Sequence, residues 1–252
     1  MQFDEEFSNS TFPENSKREI FEKTKEIVVV QLERTKKFPA EIRANLAVGW
    51  VFEAIALNEN LENHQETNQQ KELRKIIENL FQNTDIALRE EWASKPDDVS
   101  VIFDSAGNPI IDEIVETKFT IKALEKSIKK EKSQPEHSIK TIEKIVDLLN
   151  VMIESPDFDD LEVIKQNKSG YRRNFLKDTY DKIKSTGVRD KITFSSNLKY
   201  HVILPKGESK IISTPKLNTK DGKPISMVIT QSKFTFDNII KIIDHYAEND
   251  IE

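Results

Sequence analysis

Residues 96–118, Pro96-Asp-Asp-Val-Ser-Val-Ile-Phe-Asp-Ser-Ala-Gly-Asn-Pro-Ile-Ile-Asp-Glu-Ile-Val-Glu-Thr-Lys118, decide how the rest of the chain is read. Val99, Val101 and Phe103 alternate with Asp98, Ser100 and Ile102, which is the period of a strand, and Asp104-Ser-Ala-Gly-Asn-Pro109 is dense in turn formers. Residues 110–120 are again rich in Ile, Val, Thr and Phe, so the stretch predicts a β-hairpin. Strand geometry puts Asp112, Ile114, Glu116 and Lys118 on one face and Ile111, Glu113, Val115 and Thr117 on the other. With a turn centred between Ala106 and Gly107, Asp97 falls opposite Glu116 and Asp98 opposite Val115. A one-residue change in the turn puts Asp98 opposite Glu116 instead.

On the N-terminal side the pattern is helical. Residues 16–36 carry Ile20, Ile27, Val28 and Leu32 at helical spacing, and Pro39 separates them from a second helix, Ala40 to about Leu61. That helix holds Leu46, Val48, Trp50, Val51, Phe52, Ile55, Ala56 and Leu57, which predicts burial on much of its circumference. Residues 58–71 are polar and read as a loop or solvated helix end, and residues 72–92 resume helical periodicity through Leu73, Ile76, Ile77, Leu80 and Phe81.

On the C-terminal side, residues 121–153 predict a helix interrupted near Ser133-Gln-Pro135. An acidic loop follows over residues 154–160, then a mixed segment over 161–184. Residues 199–204 and 225–230 read as strands and 237–247 as a closing amphipathic helix. The order predicts a mixed α/β protein around one modest sheet, with residues 1–38 as a helical extension and 39–252 as the main domain.

The chain has 252 residues, long enough to bury a sizeable core, and no cysteine. A disulfide framework, a thiolate nucleophile and Cys-based zinc or iron–sulfur sites are therefore excluded. Four scattered histidines leave little else for a zinc site. No apolar run approaches a membrane span, and the acidic Met-Gln-Phe-Asp-Glu-Glu start is unlike a secretory signal, so the expectation is a soluble, intracellular, cytoplasmic protein without a membrane partner. Net charge is −6, yet residues 1–116 carry 13 Lys and Arg against 24 Asp and Glu, whereas residues 117–252 carry 25 against 20. Phosphate contacts depend on local clusters, so an acidic total leaves a nucleic-acid role open.

The hairpin is also where the chemistry concentrates. Burying Glu116-Thr-Lys118 on a strand is unfavourable unless the residues are exposed or functional. Two carboxylates side by side repel each other unless a cation sits between them, and carboxylate oxygens are the ligands that Mg²⁺ and Mn²⁺ prefer. A neighbouring lysine supplies a compact positive charge able to hold an attacking water and to stabilise negative charge building on phosphorus. The bland alternative is a solvated edge hairpin with a cross-strand Glu-Lys ladder, worth little energetically.

Pro96-Asp97-Asp98, a strand, a turn, a second strand and Glu116-Thr117-Lys118 resemble the PD-(D/E)xK nuclease superfamily, which includes many restriction endonucleases, junction resolvases and repair exonucleases. The resemblance implies a restriction-endonuclease-like mixed central sheet flanked by helices and Mg²⁺- or Mn²⁺-dependent cleavage of nucleic acid, DNA ahead of RNA. It makes Asp97 or Asp98 and Glu116 metal ligands and Lys118 the catalytic lysine. Gly49-Trp-Val-Phe-Glu53 matches the Gly-x-x-x-Glu that many branches carry on the preceding helix, which adds Glu53 to the metal ligands. The resemblance spans residues 49–118 and departs from the branches with Gln-x-x-x-Tyr, since Gln166 and Tyr171 are five apart. It also lacks the upstream histidine of viral cap-snatching enzymes, because His64 follows Glu53.

For phosphate contact the candidates are Lys168, Tyr171, Arg172, Arg173 and Lys177, with Tyr171 able to stack on a base. Lys126, Lys129, Lys130 and Lys132 follow the hairpin directly and are placed to line the same groove, but Glu125, Glu131 and Glu136 are interleaved with them, which predicts ordinary surface pairing. His201 reads as structural and Asp112 as a surface or supporting acid. The expectation is a metal-dependent endonuclease of restriction or defence type, a homodimer as many such enzymes are. Its rival is a catalytically inactive adaptor that keeps the fold.

Overall fold

A computed structural model describes residues 40–62, 66–90, 94–129, 133–165, 170–208, 212–240 and 243. The expected N-terminal extension, residues 1–38, lies outside them, as do residues 241–242 and 244–247 of the expected closing helix.

The apolar helix forms as α1 (Ala40–Glu62). Next, α2 (Asn68–Gln82) starts at a capping box, in which Thr67 Oγ1 accepts from the Gln70 N–H at 3.3 Å and Gln70 Oε1 accepts from the Thr67 N–H at 2.7 Å. Its buried stripe is Leu73, Ile76, Ile77, Leu80 and Phe81, the spacing the sequence predicts. A short α3 (Thr84–Ala87) leads to β1 (Asp98–Phe103) and β2 (Pro109–Thr117), the expected hairpin. The strand ends at Thr117 and not at 120, because Thr120 becomes the N-cap of α4 (Ile121–Ile128), its hydroxyl accepting from the Ala123 N–H at 3.1 Å. The interruption near Pro135 is the start of α5 (Gln134–Glu154), capped by Ser133 with Pro135 in the first turn. The mixed segment resolves into α6 (Glu162–Lys165) and α7 (Tyr171–Ser185). Then come β3 (Thr193–Lys206), β4 (Leu217–Asn218) and β5 (Pro224–Thr235), with residues 236–240 helical after it. Both β3 and β5 are much longer than the apolar runs that announce them: β3 starts in a mostly polar, half-covered stretch, residues 193–197, and towards its end β5 runs through residues 231–234, which alternate exposed and buried.

The sheet has the order β1-β2-β3-β5-β4. The two outer pairs are antiparallel, while β2-β3 and β3-β5 are parallel. A parallel centre needs cover on both faces, and the chain supplies it. One face packs Val99, Val101, Ile111, Ile114, Tyr200, Val202 and Leu204 against α2, α5 and α7, through residues such as Leu80, Ile142, Leu149 and Leu176. The other packs Val115, Ile203 and Phe234 against Val51, Phe52, Ile55 and Ala56 of α1. The protein is thus α/β, a five-stranded mixed sheet flanked by helices. No helix among the described residues is long and apolar enough to cross a membrane.

One expectation about the hairpin needs correction. Near the turn, Val101 pairs with Ile111 and Phe103 with Pro109, but beyond Ser100 the register shifts, so that Ser100 pairs with Glu113 and Asp98 with Val115. Asp112 is the extra residue of a β-bulge, and a bulge inverts the side-chain parity of everything beyond it. Ile111 and Ile114, expected on opposite faces, therefore enter the same cluster, while Val115 enters the other. The acid end keeps the register that puts Asp98 opposite Val115, but it reaches that register through the bulge and not through the turn alone.

Candidate active site

At the open end of the hairpin, three acidic side chains from separate elements lie within electrostatic reach of one another, and one of them, Glu116, is ion-paired with a lysine. Glu53 comes from α1, Asp97 from the residue before β1, and Glu116 and Lys118 from the end of β2. The Asp97 N–H donates to the Val115 carbonyl at 3.0 Å, which extends the ladder by one residue and seats the side chain. Asp97 Oδ2 then accepts from the Thr117 N–H at 2.6 Å and from Thr117 Oγ1 at 2.7 Å. Lys118 is fixed by its N–H donating to the Ile203 carbonyl at 3.0 Å, and its Nζ is ion-paired with Glu116 Oε1.

The electrostatics follow from that crowding. Glu116 is 2% exposed, and its pKa is raised to about 7 by burial first and by the Asp97 charge second, with Lys118 pulling the other way. Burial, Asp97 and Glu116 together push Glu53 up to about 8, again opposed by Lys118. Glu53 makes no hydrogen bond or ion pair among the described residues, and Asp97 Oδ1 likewise has no hydrogen-bond partner there. One lysine is too little positive charge for three carboxylates.

Asp98, the neighbour of Asp97, points elsewhere. Its carboxylate is 3.3 Å from Arg74 Nη1 of α2, and its Oδ1 accepts from the Val99 N–H at 2.8 Å. Burial raises it to about 6 against the pull of Arg74, which also pairs with Glu66 at 3.1 Å. Of the two aspartates that the sequence leaves open, Asp97 is the one set among the other acids. Asp98 ties α2 to the sheet.

Three residues that sequence reasoning missed complete the surroundings of Glu116. Gln134, first residue of α5, donates from Nε2 to Glu116 Oε1 at 2.8 Å, and the Tyr200 hydroxyl donates to Glu116 Oε2 at 3.1 Å. Tyr200 is 1% exposed and also bonds Ser138, one turn along α5 from Gln134, whose hydroxyl lies 3.2 Å from that of Ser94. The Glu116 carboxylate is thus held on both oxygens. The available signal was Tyr200 within an apolar strand, since a buried tyrosine hydroxyl needs a partner.

The expected phosphate-binding segment is not brought to this site. Lys168 lies outside the described residues. Arg172 donates from Nε to the Ile86 carbonyl at 2.7 Å and from Nη2 to the Ala87 carbonyl at 3.0 Å, so it caps α3. Arg173 is ion-paired with Asp159 and sits 5.2 Å from the centre of the Phe158 ring. Lys177 is exposed but ion-paired with Asp181 and 5.6 Å from the same ring, and Tyr171 is the most exposed of the four, at 73%. Tyr180 donates to the Ser155 carbonyl at 3.1 Å, which places this group at the C-terminal end of α5, whereas Gln134 marks the N-terminal end. A helix of 21 residues separates the two by about 30 Å.

A second polar set lies on the other face of β2. Glu113 Oε2 is 3.3 Å from His201 Nδ1 and its Oε1 3.2 Å from Lys199 Nζ, while His201 Nε2 is 2.7 Å from Thr230 Oγ1. These bonds, His201 first, hold Glu113 down at about 2. His201 thus ties β3 to both of its neighbours, β2 through Glu113 and β5 through Thr230.

Among the described residues, no three His, Asp or Glu side chains already form a group that could hold a metal ion. In the arrangement seen, Lys118 is ion-paired with Glu116 and Thr117 engages one oxygen of Asp97. The donor set still fits a hard divalent cation: Glu53 is an orphaned, largely buried carboxylate, Asp97 has an uncommitted oxygen, and both lie in the field of Glu116. Comparison with family models, with curated proteins and with solved structures finds no match.

Proposed function

We propose that the chain is a divalent-metal-dependent nuclease of the PD-(D/E)xK type, an endonuclease of restriction or defence character that hydrolyses phosphodiester bonds in nucleic acid, DNA ahead of RNA. The observation that carries this reading is the clustering of Glu53, Asp97 and Glu116, from three separate chain segments, within electrostatic reach of one another around the Glu116–Lys118 ion pair. Structural ion pairs match a carboxylate with its own partners, as Lys199 and His201 do for Glu113. This cluster does not, and a buried excess of carboxylate is what a cation-dependent site requires. The antiparallel hairpin followed by two parallel strands, with helices on both faces, supports the restriction-endonuclease-like arrangement of that superfamily.

Glu53, Asp97 and Glu116 would hold Mg²⁺ or Mn²⁺, which supplies Lewis-acid polarisation of the phosphoryl oxygens and lowers the pKa of water. Lys118 orients the attacking water on the scissile phosphate and stabilises the negative charge that builds there. Gln134 and Tyr200 keep both oxygens of Glu116 from rotating, so that the carboxylate meets the cation in one orientation. A homodimer would let two such sites cut both strands of a duplex.

The test is incubation of plasmid, single-stranded DNA and RNA with Mn²⁺, Mg²⁺ or EDTA, comparing the wild type with Lys118→Ala and Glu116→Ala. Metal-dependent cutting that both substitutions abolish is the expected result. Failure of either metal to support cutting, or variants that cut as well as the wild type, overturns the reading and leaves a nuclease-fold adaptor.

A further inference from the structure

A nuclease site also needs a grip on its substrate, and α7 does not provide one there. The best placed positive surface lies on α4, which begins three residues after Lys118. Lys122, Lys126 and Lys129 recur at intervals of four and three, so they share one face of the helix, the last of them at its C-cap. The opposite face is anchored, with Leu124 and Ser127 buried and Ile121 and Ile128 packed on the core. All three lysines are exposed, and none makes an ion pair among the described residues, contrary to the surface pairing that their spacing predicts for Lys126 and Lys129. The helix is also tied to the sheet end that carries the site, because the Ile121 N–H donates to Glu208 Oε2 at 3.0 Å, just beyond β3. Exposed Lys206 closes β3 at that same end.

We propose that Lys122, Lys126 and Lys129 form a rail for the phosphate backbone of a nucleic acid, laid along α4 so that the strand runs on to Asp97, Glu116 and Lys118. The proposal rests on the hydrolytic reading for where the strand leads. Charge complementarity alone carries the binding. From Lys122 to Lys129 the helix rises about 10 Å, which matches about three successive phosphates of one strand. Long lysine side chains reach phosphate oxygens without reading bases, so the rail gives affinity and no sequence preference.

The experiment is equilibrium binding of the full chain to short fluorescent single-stranded and duplex DNA in EDTA across a salt series, comparing the wild type with the triple variant Lys122→Gln, Lys126→Gln, Lys129→Gln. Glutamine keeps helix propensity near that of lysine, and circular dichroism checks the fold. The expected result is affinity at least about tenfold weaker at low salt and a log–log salt slope shallower by about 0.9 for each lysine on a duplex, or about 0.7 on a single strand. The pair Arg173→Gln, Lys177→Gln leaves both quantities unchanged. A triple variant that binds with the wild-type slope overturns the rail, and its metal-dependent cutting then shows whether the hydrolytic reading survives alone. A wild type that binds neither DNA overturns the rail directly, and the cleavage test judges the hydrolytic reading separately.

Discussion

Glu113 and Glu116 stand three residues apart on the same strand, both almost fully buried, at 7% and 2% exposure. Their carboxyls are driven in opposite directions. Glu113 faces Lys199 and His201 and is held down at about 2, whereas Glu116 faces Asp97 and Glu53 with one lysine and is pushed up to about 7. Burial alone would raise both, so the difference comes from the sign of the neighbours. A carboxylate with matched partners is part of the scaffold. One surrounded by more carboxylates holds an unfavourable arrangement that a divalent cation would relieve, which is why the function is read from Glu116 and not from Glu113.

The largest expected effect breaks the acid side of this contrast. If the proposed reading holds, Asp97→Asn lowers metal-dependent cleavage about a thousandfold or more, because a proposed metal ligand is lost where charge would build in the transition state. Asp98→Asn, one residue away, leaves cleavage nearly intact and instead lowers the melting temperature by several degrees, since Arg74 loses a buried partner. Equal cleavage losses in the two variants would erase the distinction drawn between them.

A smaller effect sharpens the role of the groups around Glu116. Tyr200→Phe removes only the hydroxyl that bonds Glu116 Oε2 and weakens Mn²⁺ affinity about tenfold, as loss of an orienting partner does. Titration calorimetry measures it, and saturating Mn²⁺ restores most of the cleavage. A purely structural tyrosine would alter stability and leave metal affinity alone.

The smallest effect concerns Glu113. Its folded pKa lies below its unfolded value of about 4.3, so its contribution to stability is fully present above that value and is lost as pH falls towards 2. Glu113→Gln is therefore less stable than the wild type at neutral pH and converges with it at about pH 2, while cleavage is unchanged. Urea melts across the acid range follow this. A constant gap between the two proteins down to pH 2 would mean that the carboxylate charge is not what matters there.

Much of the fold was legible because its signals are local. The stripe of α2 and the turn residues between Phe103 and Pro109 are short-range patterns, and so is the proline break before α5. The lengths of β3 and β5 were not legible, because strand-end residues such as Ser196 and Asn197 are polar where no layer covers them. The candidate site divides the same way. Glu116, Lys118 and the pair Asp97 or Asp98 were nameable from their types and spacing, and Glu53 from the resemblance of Gly49-Trp-Val-Phe-Glu53 to the Gly-x-x-x-Glu pattern. Gln134 and Tyr200 were not, since nothing within a few residues of either says that its hydrogen bond goes to Glu116, 18 and 84 positions away.

By itself, then, the sequence determined the hairpin, the α/β class and the residue types available for chemistry, because alternation, turn formers and side-chain pKa values are properties of short stretches. Only the tertiary structure decided which aspartate joins the acids. A bulge at Asp112 sets the parity of the strand, and packing of α2 delivers Arg74 to Asp98 while leaving Asp97 with Glu53 and Glu116. Tertiary structure also separated the Arg173 and Lys177 group from the site by the length of α5, since distance across a fold is set by how helices pack and leaves no mark on composition.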